Sequence, residues 1–189
     1  MSIEAVVLTG GASRRMGTDK SQIPIDGVAQ AERIVAALTV AGIPVTVLGR
    51  EAVPGAAFLA DAEKFGGPLA ALAAFSASHE LVFVASCDLP RFEPSVVNLL
   101  ALKLGGADAA VPLLSGHRQP LCALYRSNAF EAAAEVAAMG KRSLMAWLDV
   151  LQVAEVAEGD FESSGLDPVA ATSANTPDEL AALLEPKPC

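Results

Sequence analysis

Residues 5–20 read AVVLTGGASRRMGTDK, and this stretch decides the fold. Ala5-Val6-Val7-Leu8 is a short apolar run with β-branched residues, so the spacing predicts a strand over 3–8 that is buried on both faces. Directly after it come Gly10, Gly11, Ser13, Arg14, Arg15, Gly17 and Lys20. Gly10 and Gly11 let consecutive backbone N–H groups converge without Cβ obstruction, and Ser13 adds a hydroxyl. Arg14, Arg15 and Lys20 add positive charge, which suits the anionic oxygens of a triphosphate or pyrophosphate. The loop is not a P-loop, because Met16 stands where that motif needs its second glycine and Thr18-Asp19 follows Gly17. It is not GxGxxG either. Composition alone leaves a second reading open, a plain strand-to-loop turn with solvated arginines.

The rest of the chain repeats the strand-then-helix rhythm. Further strands are expected at 43–48, 56–60 and 81–86, with helices near 28–41, 68–78 and 94–104. Such alternation predicts an α/β fold with right-handed crossovers. The expected architecture is a single Rossmann-like, three-layer domain with a mostly parallel sheet. Residues 108–113 and 119–125 are expected to pair as a hairpin across Ser115-Gly116-His117-Arg118. Helices follow at 128–139 and 143–150, then an acidic loop over 159–168. A last helix near 177–184 is announced by Thr176-Pro177-Asp178-Glu179, which supplies an N-cap, a proline at the first helical position and a glutamate two residues further on. The domain is expected over 1–185, with a nucleotide-binding half over 1–105, an acceptor-binding half over 106–185 and a frayed tail at 186–189.

Bulk properties exclude several function classes. The chain has 189 residues, 52% of them hydrophobic, which is enough for one full core. A net charge of −9 argues against a dedicated nucleic-acid binder. The three cysteines, Cys87, Cys122 and Cys189, are odd in number and widely spaced, so neither a disulfide framework nor a zinc knuckle is expected. No basic leader precedes the first strand and no apolar run reaches membrane-spanning length. The expectation is a cytoplasmic protein with neither nucleic-acid nor membrane partners.

Ligands of an open α/β sheet bind beyond the C-terminal ends of its strands, and the candidate residues fall there. Asp88 follows LVFVASC, at the mouth of a predicted central strand. A half-buried carboxylate there needs a partner, and a hydrated Mg²⁺ shared with substrate phosphates is one. The alternative is an aspartate capping a turn, which Leu89-Pro90 also fits. Asp61 ends AAFLAD, and a surface loop is its alternative. Gly66-Gly67-Pro68 opens a helix whose free N–H groups either face a ligand or simply begin the helix. Asn175 is either a polar ligand or an Asx turn. His79 and His117 read as surface residues and Cys87 as a small core residue. Ser13 lacks a GxSxG elbow, so no hydrolase nucleophile is expected.

LTGGASRRMGTDK resembles the LAGGxSxRMGxDK signature of nucleotidyltransferases that act on the molybdenum cofactor, the MobA-type guanylyltransferases. Asp61, Gly67-Pro68-Leu69, Cys87-Asp88-Leu89-Pro90, Gln119-Pro120-Leu121 with Ala123-Leu124-Tyr125, and Asn175-Thr176-Pro177-Asp178-Glu179-Leu180 are similar to later family segments in the same order. The resemblance implies a fold of the nucleotide-diphospho-sugar transferase type. It implies transfer of GMP from GTP to molybdopterin with release of pyrophosphate. Leu8, Thr9, Gly10, Gly11, Ser13, Lys20, Asp61, Gly67 and Asp88 would bind the nucleotide. Lys20, Arg14, Arg15 and Asp88 would act in catalysis, Asp88 would hold Mg²⁺, and Gln119 and Asn175 would bind the acceptor. Molybdoenzymes or their chaperones would receive the product. The glycine pair after Thr9 looks like the guanylyl branch, since the cytidylyl branch more often reads AAG there. One departure runs the other way: guanylyl members often carry Asn at the end of the second strand, and this chain reads Val47-Leu48-Gly49-Arg50. A cytidylyltransferase or sugar-phosphate nucleotidyltransferase of the same fold is the enzyme alternative. A non-catalytic nucleotide-binding regulator is the alternative of another class, disfavoured by Lys20 and Asp88.

Overall fold

The computed structural model describes residues 2–9, 23–60 and 66–185. Their elements run β1 (Ile3–Leu8), β2 (Pro24–Ile25), β3 (Val28–Ala29), α1 (Gln30–Val40), β4 (Val45–Gly49), β5 (Ala57–Ala60), α2 (Pro68–Ala73), β6 (Leu81–Ser86) and α3 (Ser95–Leu104). Then follow β7 (Ala109–Leu114), β8 (His117–Arg118), β9 (Cys122–Arg126), α4 (Ala129–Ala138), α5 (Leu144–Leu148), β10 (Val153–Ala157), α6 (Glu158–Ser163), a 3-10 turn (Pro168–Ala171) and α7 (Pro177–Leu184). The main sheet has the order β10-β7-β9-β6-β1-β4-β5, with β8 paired to the end of β7. Strands β5, β4, β1 and β6 are mutually parallel. β9 runs antiparallel between β6 and β7, and β10 is parallel to β7. The result is the expected α/β domain with a mostly parallel sheet.

The apolar runs of β1, β4 and β6 read as strands because both faces of the sheet are covered there, whereas the edge strand β5 is exposed along its length. Ala5 and Val7 of β1, with Leu81, Phe83 and Ala85 of β6, pack into a core with α1 and α3. Val6 and Leu8, with Val82 and Val84, face a second core under α2, α4 and α5. Each Val, Leu or Phe so removed from water contributes about 1.5–3 kcal/mol before the entropy cost. The helices present matching stripes: Ala31, Ile34, Val35 and Leu38 are the buried apolar residues of α1, and Ala129, Phe130, Ala133 and Val136 those of α4. Aromatic residues are few, yet Phe75, Tyr125, Phe130 and Trp147 gather in the second core. Tyr125 stacks on Trp147 with ring centroids 4.4 Å apart, and the Trp147 indole N–H donates to the Ala129 carbonyl at 2.9 Å.

The structure corrects the sequence expectations in five places. The hairpin expected between 108–113 and 119–125 is two pairings with a slip between them. Leu113 faces Arg118 across a tight turn in which Ser115 and Gly116 have φ of 48° and 75°, whereas Ala109 faces Tyr125. Gln119-Pro120-Leu121 bulges out between those registers, because proline supplies no ladder N–H. The acidic stretch expected as a loop over 159–168 holds all but the first residue of α6 and ends where the 3-10 turn begins. The Asp160 carboxylate accepts from the Ala157 N–H at 2.9 Å and from Lys103, and Phe161 is fully buried. That Lys103 bond holds the Asp160 carboxyl below the usual carboxylate range. Strand β10 was not expected, since Ala and Glu favour helix, but Val156 is buried and β7 offers a parallel edge. The helix expected over 68–78 stops at Ala73. Beyond it, the N–H groups of Ser78 and His79 donate instead to the buried carboxylate of Glu4. His79, read as a surface residue, is half-buried, with its Nδ1 3.6 Å from a Glu4 carboxylate oxygen. The expected tail at 186–189 lies outside the described residues.

Candidate active site

Renumbered by position, β5-β4-β1-β6 is the 3-2-1-4 order of a doubly wound sheet. Its topological switch point falls between β1 and β6, whose C-terminal ends lie side by side with Leu8 opposite Ser86. The glycine-rich stretch leaves from the first of these ends and Asp88 follows the second.

Three consecutive residues tie this end of the sheet together. Ser86 N–H donates to the Leu121 carbonyl at 2.8 Å, Cys87 N–H donates to the Leu8 carbonyl at 3.1 Å, and the Asp88 carbonyl accepts from Ala174 N–H at 2.9 Å. The root of the glycine-rich stretch, the bulge of the antiparallel strand and the segment before α7 are thereby fixed around one turn. A cavity of about 160 Å³ opens there, lined by Ser86, Asp88, Leu89, Gln119, Pro120, Leu121, Cys122, Ser173 and Asn175. Asp88 is only 8% exposed, and its Oδ1 accepts from the Ser86 hydroxyl.

Asp88, Gln119 and Asn175, far apart in sequence, therefore meet in one cleft. Leu8 and Thr9 lie at its edge rather than in its lining: the Leu8 side chain belongs to the second core, and the Thr9 hydroxyl donates to the Leu48 carbonyl at 3.4 Å. Asn175 is held from behind, its N–H donating to a Glu179 carboxylate oxygen at 2.6 Å, while Glu179 N–H donates to the Thr176 hydroxyl. The α7 start thus engages the Asn175 backbone, and the residue lines the cleft. Gly10, Gly11, Ser13, Arg14, Arg15, Lys20 and Asp61 lie outside the described residues.

Gly67 opens α2 with φ of 88° and ψ of 172°, a conformation close to glycine-only. A Cβ there would meet nothing within 4 Å, so backbone strain and not crowding demands glycine. Gly67→Ala is expected to cost about 1–3 kcal/mol in unfolding free energy, checked by urea denaturation. A neutral result would show that the α2 start relaxes to an ordinary helix cap.

The donors around the cleft are hard oxygens: one carboxylate, the Ser86 and Ser173 hydroxyls and the Gln119 and Asn175 amides. Among the described residues no group of three His, Cys, Asp or Glu side chains is placed to hold a metal. Cys122 offers no soft ligand, since full burial pushes its thiol far up and keeps it protonated. Such a set suits a hydrated hard cation that takes most of its ligands from water and phosphate. Ser86 and Ser173 were not singled out in the sequence, and Gln119-Pro120-Leu121, quoted there as a segment, gave no sign that it bulges into the cleft.

The architecture defines an α/β domain of the nucleotidyltransferase type. It aligns with the crystal structure of molybdopterin-guanine dinucleotide biosynthesis protein A from Archaeoglobus fulgidus at a TM-score of 0.81 and 23% identity, over 95% of this chain and 96% of that one. It also aligns with 2-C-methyl-D-erythritol 4-phosphate cytidylyltransferase from Thermus thermophilus at a TM-score of 0.68 and 19% identity, over 97% of both. The family model of the MobA-like NTP transferase domain matches residues 5–156, and the chain belongs to that family. A relative in Nostoc, described as a probable molybdenum cofactor guanylyltransferase, is 30% identical over 195 residues, 96% of this chain and 90% of that protein. One of the same description in Pelotomaculum thermopropionicum is 28% identical over 187 residues, covering 93% and 88%. No helix among the described residues is long and apolar enough to cross a membrane.

Proposed function

We propose that the chain transfers GMP from GTP to molybdopterin, forming the guanine dinucleotide of the cofactor and releasing pyrophosphate. The observation that carries this reading is the cleft at the switch point, where Asp88, Gln119 and Asn175 come together beside the root of LTGGASRRMGTDK in a chain of the MobA-like family. The names of the relatives supply the choice of GTP and molybdopterin.

In this mechanism a phosphate oxygen of the acceptor attacks the α-phosphorus of GTP in line. The new P–O bond forms as the bond to the β-phosphate oxygen breaks, and the electron pair leaves with pyrophosphate. No covalent enzyme intermediate is needed, so the protein contributes position and charge. Gly10, Gly11 and Ser13 would hold the phosphates through N–H and hydroxyl donors, with Leu8 and Thr9 shaping the loop's root. Lys20, Arg14 and Arg15 would meet the charge that grows on the leaving group. Asp61 and Gly67 would complete the nucleotide side, and Gln119 and Asn175 would orient the acceptor. Asp88 would hold Mg²⁺ in the oxygen-rich cleft, and that ion would neutralise the phosphate oxygens. Molybdoenzymes or their chaperones would take the product, in a cytoplasmic setting.

A second reading, cytidylyl transfer, is favoured by one observation. At the end of β4, Val47 and Leu48 are 0% and 2% exposed, so neither replaces the asparagine common in guanylyl members. The test is pyrophosphate release with GTP, CTP, ATP and UTP, each with and without molybdopterin. GTP with molybdopterin is expected to be preferred over CTP by roughly tenfold or more in kcat/KM, because the two bases present different hydrogen-bonding edges. Equal or better turnover with CTP would place the chain in the cytidylyl branch.

A further inference from the structure

Ser86 belongs to none of the motifs above, yet both walls of the cleft meet on it. Its N–H donates to the Leu121 carbonyl at 2.8 Å, on the Gln119-Pro120-Leu121 bulge. Its hydroxyl donates to Asp88 Oδ1 at 2.5 Å. It is 9% exposed and lines the same cavity as Asp88, Gln119 and Asn175. The backbone turns at Cys87-Asp88, immediately after β6 ends at Ser86, which carries the carboxylate back over the hydroxyl.

We propose that Ser86 is a positioning residue whose hydroxyl holds the Asp88 carboxylate in the orientation that receives a divalent cation with its bound nucleotide phosphates. The inference rests on the reading of Asp88 given under the proposed function. An aspartate carboxylate turns about two soft torsions, and a donor fixed by a strand end removes that freedom before the ligand arrives. The Ser86 backbone is tied to the Leu121 carbonyl, so the hydroxyl is carried on a fixed strand end with only its own short side chain left to turn. Donors of this kind behind a metal-holding carboxylate set its orientation, and their loss weakens metal binding about 10–100-fold.

The test compares wild type, Ser86→Ala, Ser86→Thr and Asp88→Asn by three measurements on the full chain. These are melting without ligand, calorimetric titration of Mg²⁺ in the presence of a non-hydrolysable GTP analogue, and kcat and KM for GTP. Ser86→Ala is expected to melt within a few degrees of wild type, to bind Mg²⁺ about tenfold more weakly or worse, and to lose kcat with little change in KM. Ser86→Thr keeps the hydroxyl and should restore both affinity and kcat. Wild-type Mg²⁺ affinity in Ser86→Ala overturns the proposal, as does a Ser86→Thr variant as impaired as the alanine, which would make the effect one of packing. Asp88→Asn separates the two levels. If it abolishes Mg²⁺ binding while Ser86→Ala does not weaken it, only the Ser86 inference falls; if it leaves Mg²⁺ binding unchanged, the reading of Asp88 falls with it.

Discussion

Asp88→Asn is expected to leave the fold intact and to lower nucleotidyl transfer by about 10²–10³-fold. The fold should survive because two contacts that Asp88 makes do not need its charge. Its carbonyl takes the Ala174 N–H whatever the side chain, and an asparagine Oδ1 can accept from the Ser86 hydroxyl as the carboxylate does. The two side chains are nearly equal in size, so the leucine and proline beside them need not move. What disappears is the one carboxylate among the described residues that line the cleft. An amide oxygen attracts a hard divalent cation and its phosphates far less than a carboxylate does. The checks are a melting curve, expected to change by no more than about 1 kcal/mol in stability, and single-turnover transfer with GTP and molybdopterin. Near-normal turnover would remove Asp88 from the chemistry and leave Arg14, Arg15 and Lys20 to manage the phosphate charge alone.

Trp147→Ala is expected to destabilise the protein by about 3–5 kcal/mol. For a chain of this size, that is a fall in Tm of roughly 10–15 °C. The indole is 0% exposed, stacks on Tyr125 and lies 5.7 Å from the Phe130 ring centroid. Its removal leaves a large void in the smaller of the two cores and deletes the bond to the Ala129 carbonyl. Tyr125 also loses the ring that holds it flat, and Tyr125 is the residue whose hydroxyl donates to the Pro120 carbonyl at 2.8 Å behind the cleft wall. Trp147→Phe keeps an aromatic face and should recover part of the loss. Urea denaturation of the three proteins measures the series, and a loss below about 1 kcal/mol for the alanine would mean that α5 does not unfold with the rest of the domain.

Much of the candidate site could be read one residue at a time. Asp88 stood out because it ends a continuous apolar run, and β6 is buried along its whole length. Asn175 stood out because it precedes Thr176-Pro177, and the Thr176 hydroxyl does accept from Glu179 N–H at 3.2 Å. What could not be read was the reason these residues share a cleft. The Glu179 side chain bonds the Asn175 N–H, one position before the cap residue. Ser86 carries no motif, and its neighbours in the site come from β9 and from the segment before α7.

By itself the sequence determined the parallel half of the sheet, from β1 to α3. Each strand there is a short apolar run and each helix a stripe of Ala, Leu and Val, so element type follows from the period of burial alone. It also determined the family, through a glycine-rich signature and an ordered set of later motifs. Tertiary structure decided how the second half is arranged, although its helices and the antiparallel pairing of β9 with β7 were expected. Nothing local says that β9 inserts beside β6, that Gln119-Pro120-Leu121 is squeezed out between two registers, or that VAEVA is a strand. Those outcomes depend on pairings between distant segments, such as Phe83 with Leu124 and Val156 with Pro112. Their energies come from filling a shared core and from satisfying backbone groups across the sheet, and both override weak local preference for Ala, Glu and Pro. The helix expected to run to 78 shows the same competition, with a buried Glu4 carboxylate capturing the N–H groups of Ser78 and His79. A buried carboxylate must be satisfied, and only the folded chain shows which distant amides satisfy it.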